Sequence, residues 1–387
     1  MWISPTGTDK GVLEPHQVAL TNLQGDMHND CTPSSEAPFH LEIYRRHRGI
    51  RSVLHAHPVG LVALSVNRRT PNVMILPSVY RVCSDVAFVP YALPGSTDLA
   101  DKIVSAISGN RIAAILENHG AVVAGENIGR CFTIFETIET AAKIMLKAAQ
   151  LGNIHYLSTD ELELIPTGAP AINGGETRHR ISDAERSLRI KMTGLVIRAY
   201  EQSFFVSSMG SISCRFGDGF LLTPHGVDRA LVVPSDLVYF ENSVQYGDRP
   251  ASRSFALHAA IYEMNPRIKS VIVAQPPNVM AFAVTGHRMN TKSTPESYVL
   301  LREIELLPFG AQYSDPPAVA AHISNDTPLV IIQNDCIIST GGSLLEAFDR
   351  LEVAEFNARF ELSSIPFGGM KGLSKSQQME LRKRYFS

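Results

Sequence analysis

Apolar and polar positions along this chain switch between a two-residue and a 3.6-residue period. In AAILENHGAVVAG, two short β-leaning apolar runs flank a turn that contains Gly120. That pattern predicts a hairpin or a tight strand-to-strand crossing. GRCFTIFETIETAAKIMLKAAQL (129–151) is rich in helix formers with apolar residues at helical spacing, which predicts a long amphipathic helix. SSEAPFHLEIYRRH places serines ahead of Glu36 and then turns helical, so a helix capped at or near Ser34 or Ser35 is expected. IPTGAPAINGGETRHR (165–180), dense in Pro, Gly and polar residues, reads as a linker. SDAERSLRIKMTGLVIRAYEQ (182–202) reads as a further helix.

The same pattern recurs. ISPTGTDKGVLEPHQVAL (3–20) matches LTPHGVDRALVVPSDLVY (222–239), and HLEIYRRHRGIRSVLHAHP (40–58) matches HAAIYEMNPRIKSVIVAQP (258–276) without a gap. ILENHGAVVAGENIGRCF (115–132) matches IIQNDCIISTGGSLLEAF (331–348). The repeated unit is a whole domain. The expected organisation is a first domain over 1–164, a linker over 165–181 and a second domain over 182–387. The helix 182–202 and the turn SSMGSISCRFGDG precede LLTPHG in the second copy, whereas the first copy starts almost at its own ISPTG. Either the first domain lacks an opening helix and strand, or the real start lies upstream of Met1.

The repeat changes the weight of the histidines. On a strand, residues i and i+2 share a face, so His55 and His57 project together. Two imidazoles with a third contributor are a common way to hold a divalent ion, and His119, at the turn in ENHG, is the natural third. Three protein ligands leave an open position of the kind a catalytic metal needs. A bare HxH is a weak signal, hydrogen-bonded structural histidines being the alternative. However, His55, His57 and His119 align with Val273, Gln275 and Asp335, so the whole set changes while its neighbours stay similar. Glu36 aligns with Ser254 and changes with them. A carboxylate beside a metal can act as general acid/base. Alone, it would read as a dipole-favoured residue of the first helical turn. His16, His28, His47, His155 and His179 read as solvent-facing or capping, and so by default does His40, although its recurrence as His258 points to structure.

Composition narrows the class further. The chain has 387 residues, enough for two domains. Hydrophobic content of 44% and charged content of 19% describe a globular protein. A net charge of −3 with no basic stripe argues against nucleic acid or an acidic membrane surface as partner. Five scattered cysteines without a CxxC pair argue for a reducing compartment and against a disulfide framework. No signal core and no membrane-length apolar stretch is present, so a cytoplasmic protein is expected.

Together, SPTGTDKGVLEP, PSSEAPFH, VLHAHP, LPGSTDLA and LENHGAVVAG resemble the class II aldolase/adducin family, whose best-known enzyme is L-fuculose-1-phosphate aldolase. The resemblance covers nearly all of both repeats and implies an α/β fold of tandem α/β/α sandwiches with a largely antiparallel central sheet, the second copy degenerate. It implies metal ligands at His55, His57 and His119, and a catalytic acid/base at Glu36. It also implies substrate-phosphate contacts at Thr6, Gly7, Ser34 and Ser35, consistent with small hydroxyls and turn N–H groups receiving a dianion. The implied activity is retro-aldol cleavage of a small sugar phosphate or related hydroxy-carbonyl compound through a metal-stabilised enediolate, with one site per chain in the N-terminal repeat. The metal would be Zn²⁺, with Mn²⁺ or Co²⁺ as alternatives. Family enzymes assemble as rings with active sites between subunits, so a homo-oligomer, a dimer mimicking a four-fold ring, is expected. One departure stands out: the family's GNxS phosphate loop, which would precede SPTG, is absent from the first copy. The second copy has a variant, Gly210-Ser211-Ile212-Ser213, without the metal set. Dehydratase, epimerase and decarboxylase chemistry occur in the same family, and an adducin-like assembly protein is the non-enzymatic alternative.

Overall fold

The structure, a computed structural model, describes residues 1–386 apart from 110, 171, 173–179 and 243. His179 and the centre of the expected linker lie outside the described residues. The chain divides into two compact units, Met1–Val73 with Val79–Ala142, and Met74–Ser78 with Lys143–Ser387.

In the N-terminal unit, β1 (Trp2–Ile3) and β2 (Ala19–Leu20) form a small antiparallel pair. A separate four-stranded sheet contains β3 (Ser52–Ala56), β4 (Ala87–Val89), β5 (Ala113–Leu116) and β6 (Ala121–Gly125), in the order β3-β6-β5-β4. Only the β4–β5 pair is parallel. Every residue of β5 and β6 is buried, as expected for strands covered on both faces. Phe39 and Ile43 of the helix Ala37–Arg46 and Leu99 and Ile103 of the helix Thr97–Ala106 pack with Val89, Leu116 and Val122 into one core.

The helix Val59–Val66 follows β3 directly. The carboxylate of Glu139, on the helix Ile128–Ala148, accepts from the Gly60 and Leu61 N–H groups at 3.0 and 2.9 Å. This anchors the positive helix end against a buried anion. A Cβ at position 60 would lie 2.8 Å from a Glu139 oxygen, so a larger residue there would require the Glu139 side chain to shift.

The C-terminal unit contains β7 (Ser211–Phe216), β8 (Gly219–Leu222), β9 (Val238–Glu241), β10 (Val244–Tyr246), β11 (Ser270–Ala274), β12 (Ile304–Leu307), β13 (Leu329–Ile332) and β14 (Cys336–Gly341). They form one sheet in the order β10-β9-β8-β7-β11-β14-β13-β12, again with one parallel pair, β12–β13. The order β11-β14-β13-β12 repeats β3-β6-β5-β4 step for step. Glu355 repeats the role of Glu139, accepting from the Asn278 and Val279 N–H groups. The expected fold class, α/β with largely antiparallel sheets, is what the chain adopts.

Two local expectations need correction. The helix after PSS starts at Ala37, and its N-cap position is Glu36, not Ser34 or Ser35. Pro38 sets its first turn, while the Ser34 hydroxyl accepts only from the Glu36 N–H at 3.3 Å. The stretch read as a turn, SSMGSISCRFGDG, is largely strand: Ser211–Phe216 pairs on both sides, with β8 and with β11. Its alternation of Ser and apolar residues is a period-two signal. The helices expected over 129–151 and 182–202 form as Ile128–Ala148 and Asp183–Glu201, the latter capped by Ser182. No helix among the described residues is long and apolar enough to cross a membrane.

Candidate metal centre

β3 pairs antiparallel with β6, with His55 opposite Val122 and Ala56 opposite Ala121. Pairing with β6 brings the end of β3 beside the turn that joins β5 to β6. That turn is tight: the Leu116 N–H bonds the Gly120 carbonyl at 2.8 Å, and the His119 N–H bonds the Leu116 carbonyl at 3.1 Å. Asn118 sits at φ 53°, a left-handed conformation that asparagine tolerates. The turn therefore aims His119 back over β3.

One ligand atom from each of His55, His57 and His119 lies within 4.8 Å of the others. The Nε2 atoms of His55 and His57 are 3.0 Å apart, and the three ring centroids are separated by 4.8 to 5.0 Å. His55 Nδ1 lies 3.0 Å from the Ala121 carbonyl. That carbonyl fixes the Nδ1–H tautomer and leaves the Nε2 lone pair pointing into the cluster. Gly120 makes the approach feasible, since a Cβ there would meet His57 Cδ2 at 2.4 Å and the Ala56 carbonyl at 2.6 Å.

Glu36 completes the cluster from the start of the helix Ala37–Arg46. Its Oε1 lies 3.7 Å from His119 Nε2, and its Oε2 is buried with no hydrogen-bond partner. Burial raises the Glu36 carboxyl above its ordinary pKa, opposed by a backbone hydrogen bond from Gly95 and by the charge of His57. Burial also pushes His55 down to about 3, assisted by repulsion from His57, His119 and His40. His119 is lowered by burial and then by His57. Both effects favour neutral imidazole, the form that binds a metal.

These residues fit a divalent ion. Metal–nitrogen bonds of about 2.1 Å in tetrahedral geometry separate ligand nitrogens by roughly 3.4 Å, a spacing within reach of this set by small side-chain rotations. Two imidazole nitrogens facing each other at 3.0 Å and an orphaned buried carboxylate oxygen beside them are what such an ion would satisfy.

The remaining expected site residues form a second group near the chain start. The Thr6 N–H bonds the Thr32 carbonyl and the Ser34 N–H bonds the Ser4 carbonyl, both at 3.1 Å, so SPTG and PSS run side by side. Gly7 adopts φ 64° with open space where a Cβ would be. Thr6 also lines a surface cleft of about 330 Å³ with Thr8, His16, Gln17 and Thr32, to which Ser34 and Ser35 do not contribute. Sequence reasoning overlooked the Ala121 carbonyl and Gly95. It also overlooked Glu117, which braces the turn by accepting from the Tyr91 N–H at 2.9 Å and pairing with Arg68 at 2.7 Å. Backbone partners carry no residue-type signal, so only the LPGSTD and ENHG glycines could have flagged them. His40, whose recurrence as His258 points to a structural role, sits as that reading expects. It is half-buried and stacks on Phe39 at 4.5 Å, and burial lowers it to about 4.

The profile of the family described as "Class II Aldolase and Adducin N-terminal domain" matches residues 1–146 and 191–362. The chain belongs to the class II aldolase/adducin family. Among similar members, "5-deoxy-D-ribulose 1-phosphate aldolase" of Bacillus thuringiensis serovar kurstaki is 32% identical over 163 residues, 42% of this chain and 75% of that protein. "3-oxo-tetronate 4-phosphate decarboxylase" of Haemophilus influenzae is 31% identical over 167 residues, 42% of this chain and 78% of that protein. "L-fuculose phosphate aldolase" of the same organism is 27% identical over 167 residues, 43% of this chain and 76% of that protein. Members of the class II aldolase family thus include both aldolases and decarboxylases, and this chain carries a histidine triad suited to a divalent metal.

Proposed function

We propose that the chain is a metal-dependent lyase that cleaves a small sugar phosphate or related hydroxy-carbonyl compound by retro-aldol chemistry. The observation that carries this is the convergence of His55, His57 and His119, with the Glu36 carboxylate, one of its oxygens unpaired, beside them. His55, His57 and His119 would hold the ion, with Zn²⁺ favoured by three imidazoles and Mn²⁺ or Co²⁺ tolerated. When bound, such an ion polarises a carbonyl and stabilises the negative charge that develops beside it. Glu36, pushed toward the protonated form by burial, would move the proton at the carbon adjoining that carbonyl. The hydroxyls of Thr6, Ser34 and Ser35 and the N–H groups of Gly7 and Ser35 would receive the phosphate, a reading supported by the phosphorylated substrates in the relatives' names.

The domains are read as two copies, 1–164 and 182–387, joined by 165–181, the second without the metal set and the chain assembling with further copies of itself. Decarboxylation is the second reading, favoured by the likeness to the Haemophilus influenzae decarboxylase. Assay of the metal-loaded protein against phosphorylated ketoses and 3-oxo acids, following aldehyde and CO₂ release separately, decides between them. A purified protein that binds no divalent ion stoichiometrically would sink both and leave the adducin-like assembly reading.

A further inference from the structure

The C-terminal unit carries a charge change just ahead of its helix Phe255–Met264. Ser252-Arg253-Ser254 stand where the N-terminal unit has Ser34-Ser35-Glu36, so one acid is lost and one cation gained. Arg253 is exposed and forms no hydrogen bond or ion pair among the described residues. Partial burial of its guanidinium lowers its pKa, with Tyr313 and Asp335 acting the other way. Those neighbours put it beside the turn after β13, where Gln312 and Tyr313 already satisfy the Asp335 carboxylate. Arg229, 1% exposed, donates to the Gly210, Val227 and Pro224 carbonyls at 3.0, 2.8 and 3.0 Å. Burial lowers Arg229 to about 10, with Asp228 opposing and repulsion from Arg253 adding to it, so it stays charged at neutral pH. Two neighbouring guanidinium groups repel each other, and neither is paired with a carboxylate among the described residues.

A run of hydrogen bonds ends at the same place. Tyr262 OH lies 2.7 Å from Ser213 Oγ, Ser213 Oγ 2.6 Å from His258 Nδ1, and His258 Nε2 2.8 Å from Ser211 Oγ. Ser211 Oγ lies 2.7 Å from Ser254 Oγ, which lies 2.9 Å from Ser252 Oγ. Burial holds His258 at about 3, so its ring is neutral and carries one hydrogen. Six side chains thus bring one hydrogen each to five bonds, and one hydrogen finds no acceptor within the run. The inner end decides which. A backbone hydrogen bond from Val271 reaches the Tyr262 oxygen, so the phenol donates to Ser213 and Ser213 to His258. His258 then donates to Ser211, Ser211 to Ser254, and Ser254 to Ser252. The Ser254 N–H also donates to Ser252 Oγ, at 3.4 Å. Ser252, only 8% exposed, is left with a hydroxyl hydrogen that no described residue accepts. Buried donors are rarely left so.

We propose that Arg253 and the Ser252 hydroxyl bind a small oxyanion, a phosphate ester or a carboxylate, ahead of the helix Phe255–Met264. One oxygen of the anion accepts from Ser252, and the Arg253 guanidinium closes on the anion from the solvent side. Arg229 supplies a second, buried positive charge nearby. The site inverts the electrostatics of the centre in the N-terminal unit. There, neutral imidazoles and Glu36 suit a cation; here, two guanidinium groups and an outward-pointing donor suit an anion. The site asks nothing of His55, His57 or His119 and does not depend on the metal reading.

The test is titration calorimetry with hydrogen exchange on the full chain, dialysed against a chelator. Inorganic phosphate and acetate are the probes, at constant ionic strength with chloride as reference. At least one should bind saturably in the millimolar range and protect the amides of Ser252–Phe255. A preference for phosphate identifies a phosphate ester as the ligand, and a preference for acetate a carboxylate. Arg253→Ala should weaken that binding by at least about ten-fold, and Ser252→Ala by about three-fold or more, the losses expected for a charged and a neutral hydrogen bond. Arg253→Lys should restore only part of the affinity, because lysine keeps the charge without the planar fork. Arg253 is exposed and unpaired, so its replacement should leave the urea midpoint in place, which separates lost binding from lost fold. No saturable binding of either anion beyond that of chloride, undiminished binding by the Arg253→Ala protein, or protection confined to the N-terminal unit would overturn the proposal.

Discussion

The turn after β5 and the turn after β13 have the same backbone and opposite chemistry. Asn118 and Asn334 sit at φ 53° and 52°. The next residue closes each turn, His119 bonding the Leu116 carbonyl at 3.1 Å and Asp335 the Ile332 carbonyl at 3.2 Å. At the first turn, three imidazoles and a carboxylate converge with an oxygen left unpaired. At the second, Asp335 is buried and its carboxylate accepts from Gln312 at 2.6 Å and Tyr313 at 3.2 Å. Gln275, aligned with His57, donates to the Asp335 carbonyl at 2.6 Å and accepts from Ser78 at 3.1 Å. At one turn a buried carboxylate oxygen stays unpaired; at the other the carboxylate is satisfied within the chain. The fold of the turn therefore owes nothing to a metal, and the centre is a set of side chains laid over a backbone that stands without it.

That contrast can be broken or sharpened. The largest effect belongs to His119→Ala. It should weaken metal binding by more than about 100-fold, because even outer-shell changes cost 10–100-fold. Asp335→Ala should leave metal content unchanged, and metal analysis of dialysed protein separates them. Glu36→Gln should lower turnover by about 10²–10⁴-fold while metal stays bound, the range for a lost general acid/base. Ser254→Ala, at the aligned position, should leave turnover alone. Gly120→Ala should weaken metal binding by about 10-fold or more through displacement of His57, read by competition with a chelator.

Smaller effects fall on stability. Gln312→Leu strips the buried Asp335 of a donor and should cost about 1–3 kcal/mol in urea unfolding without touching metal content. The buried histidines give a pH signature. His258 is held at about 3 and His40 at about 4, against an ordinary value near 6.5. Below about pH 6.5 the unfolded chain takes up protons that the folded chain refuses, so stability declines as pH falls toward 4 and is fully present above 6.5. A urea midpoint that stays flat from pH 7 to pH 5 would contradict this.

Much of the centre was legible in the sequence because its signals are local. HxH on a strand puts both rings on one face, and ENHG marks a turn with an imidazole at its tip. The alignment to Val273, Gln275 and Asp335 showed that the three change together. What was not legible depends on distant pairing. The Ala121 carbonyl that orients His55 is set by β3–β6 register, and the Gly95 N–H that reaches Glu36 comes from another loop. The helix after PSS is capped at Glu36, one residue past Ser35, with Pro38 in its first turn. The strand character of Ser211–Phe216 was hidden by its small residues, which suit a turn as well as a buried face between two neighbours.

Gly120 has a further consequence, for which substitutions can occur together. A side chain at that position and an imidazole at position 57 exclude each other on this backbone. The position aligned with Gly120 is Cys336, and the position aligned with His57 is Gln275. Under the proposed duplication, the two changes in the second copy are coupled. Loss of the histidine removes the closer of the two contacts that hold position 120 to glycine; the other, the Ala56 carbonyl at 2.6 Å, is backbone, so the chain must also shift before a residue such as Cys336 can stand at the aligned position. Restoring a second centre with the packing of the first therefore calls for Cys336→Gly together with Gln275→His, so that the backbone can close against the ring as it does at Gly120.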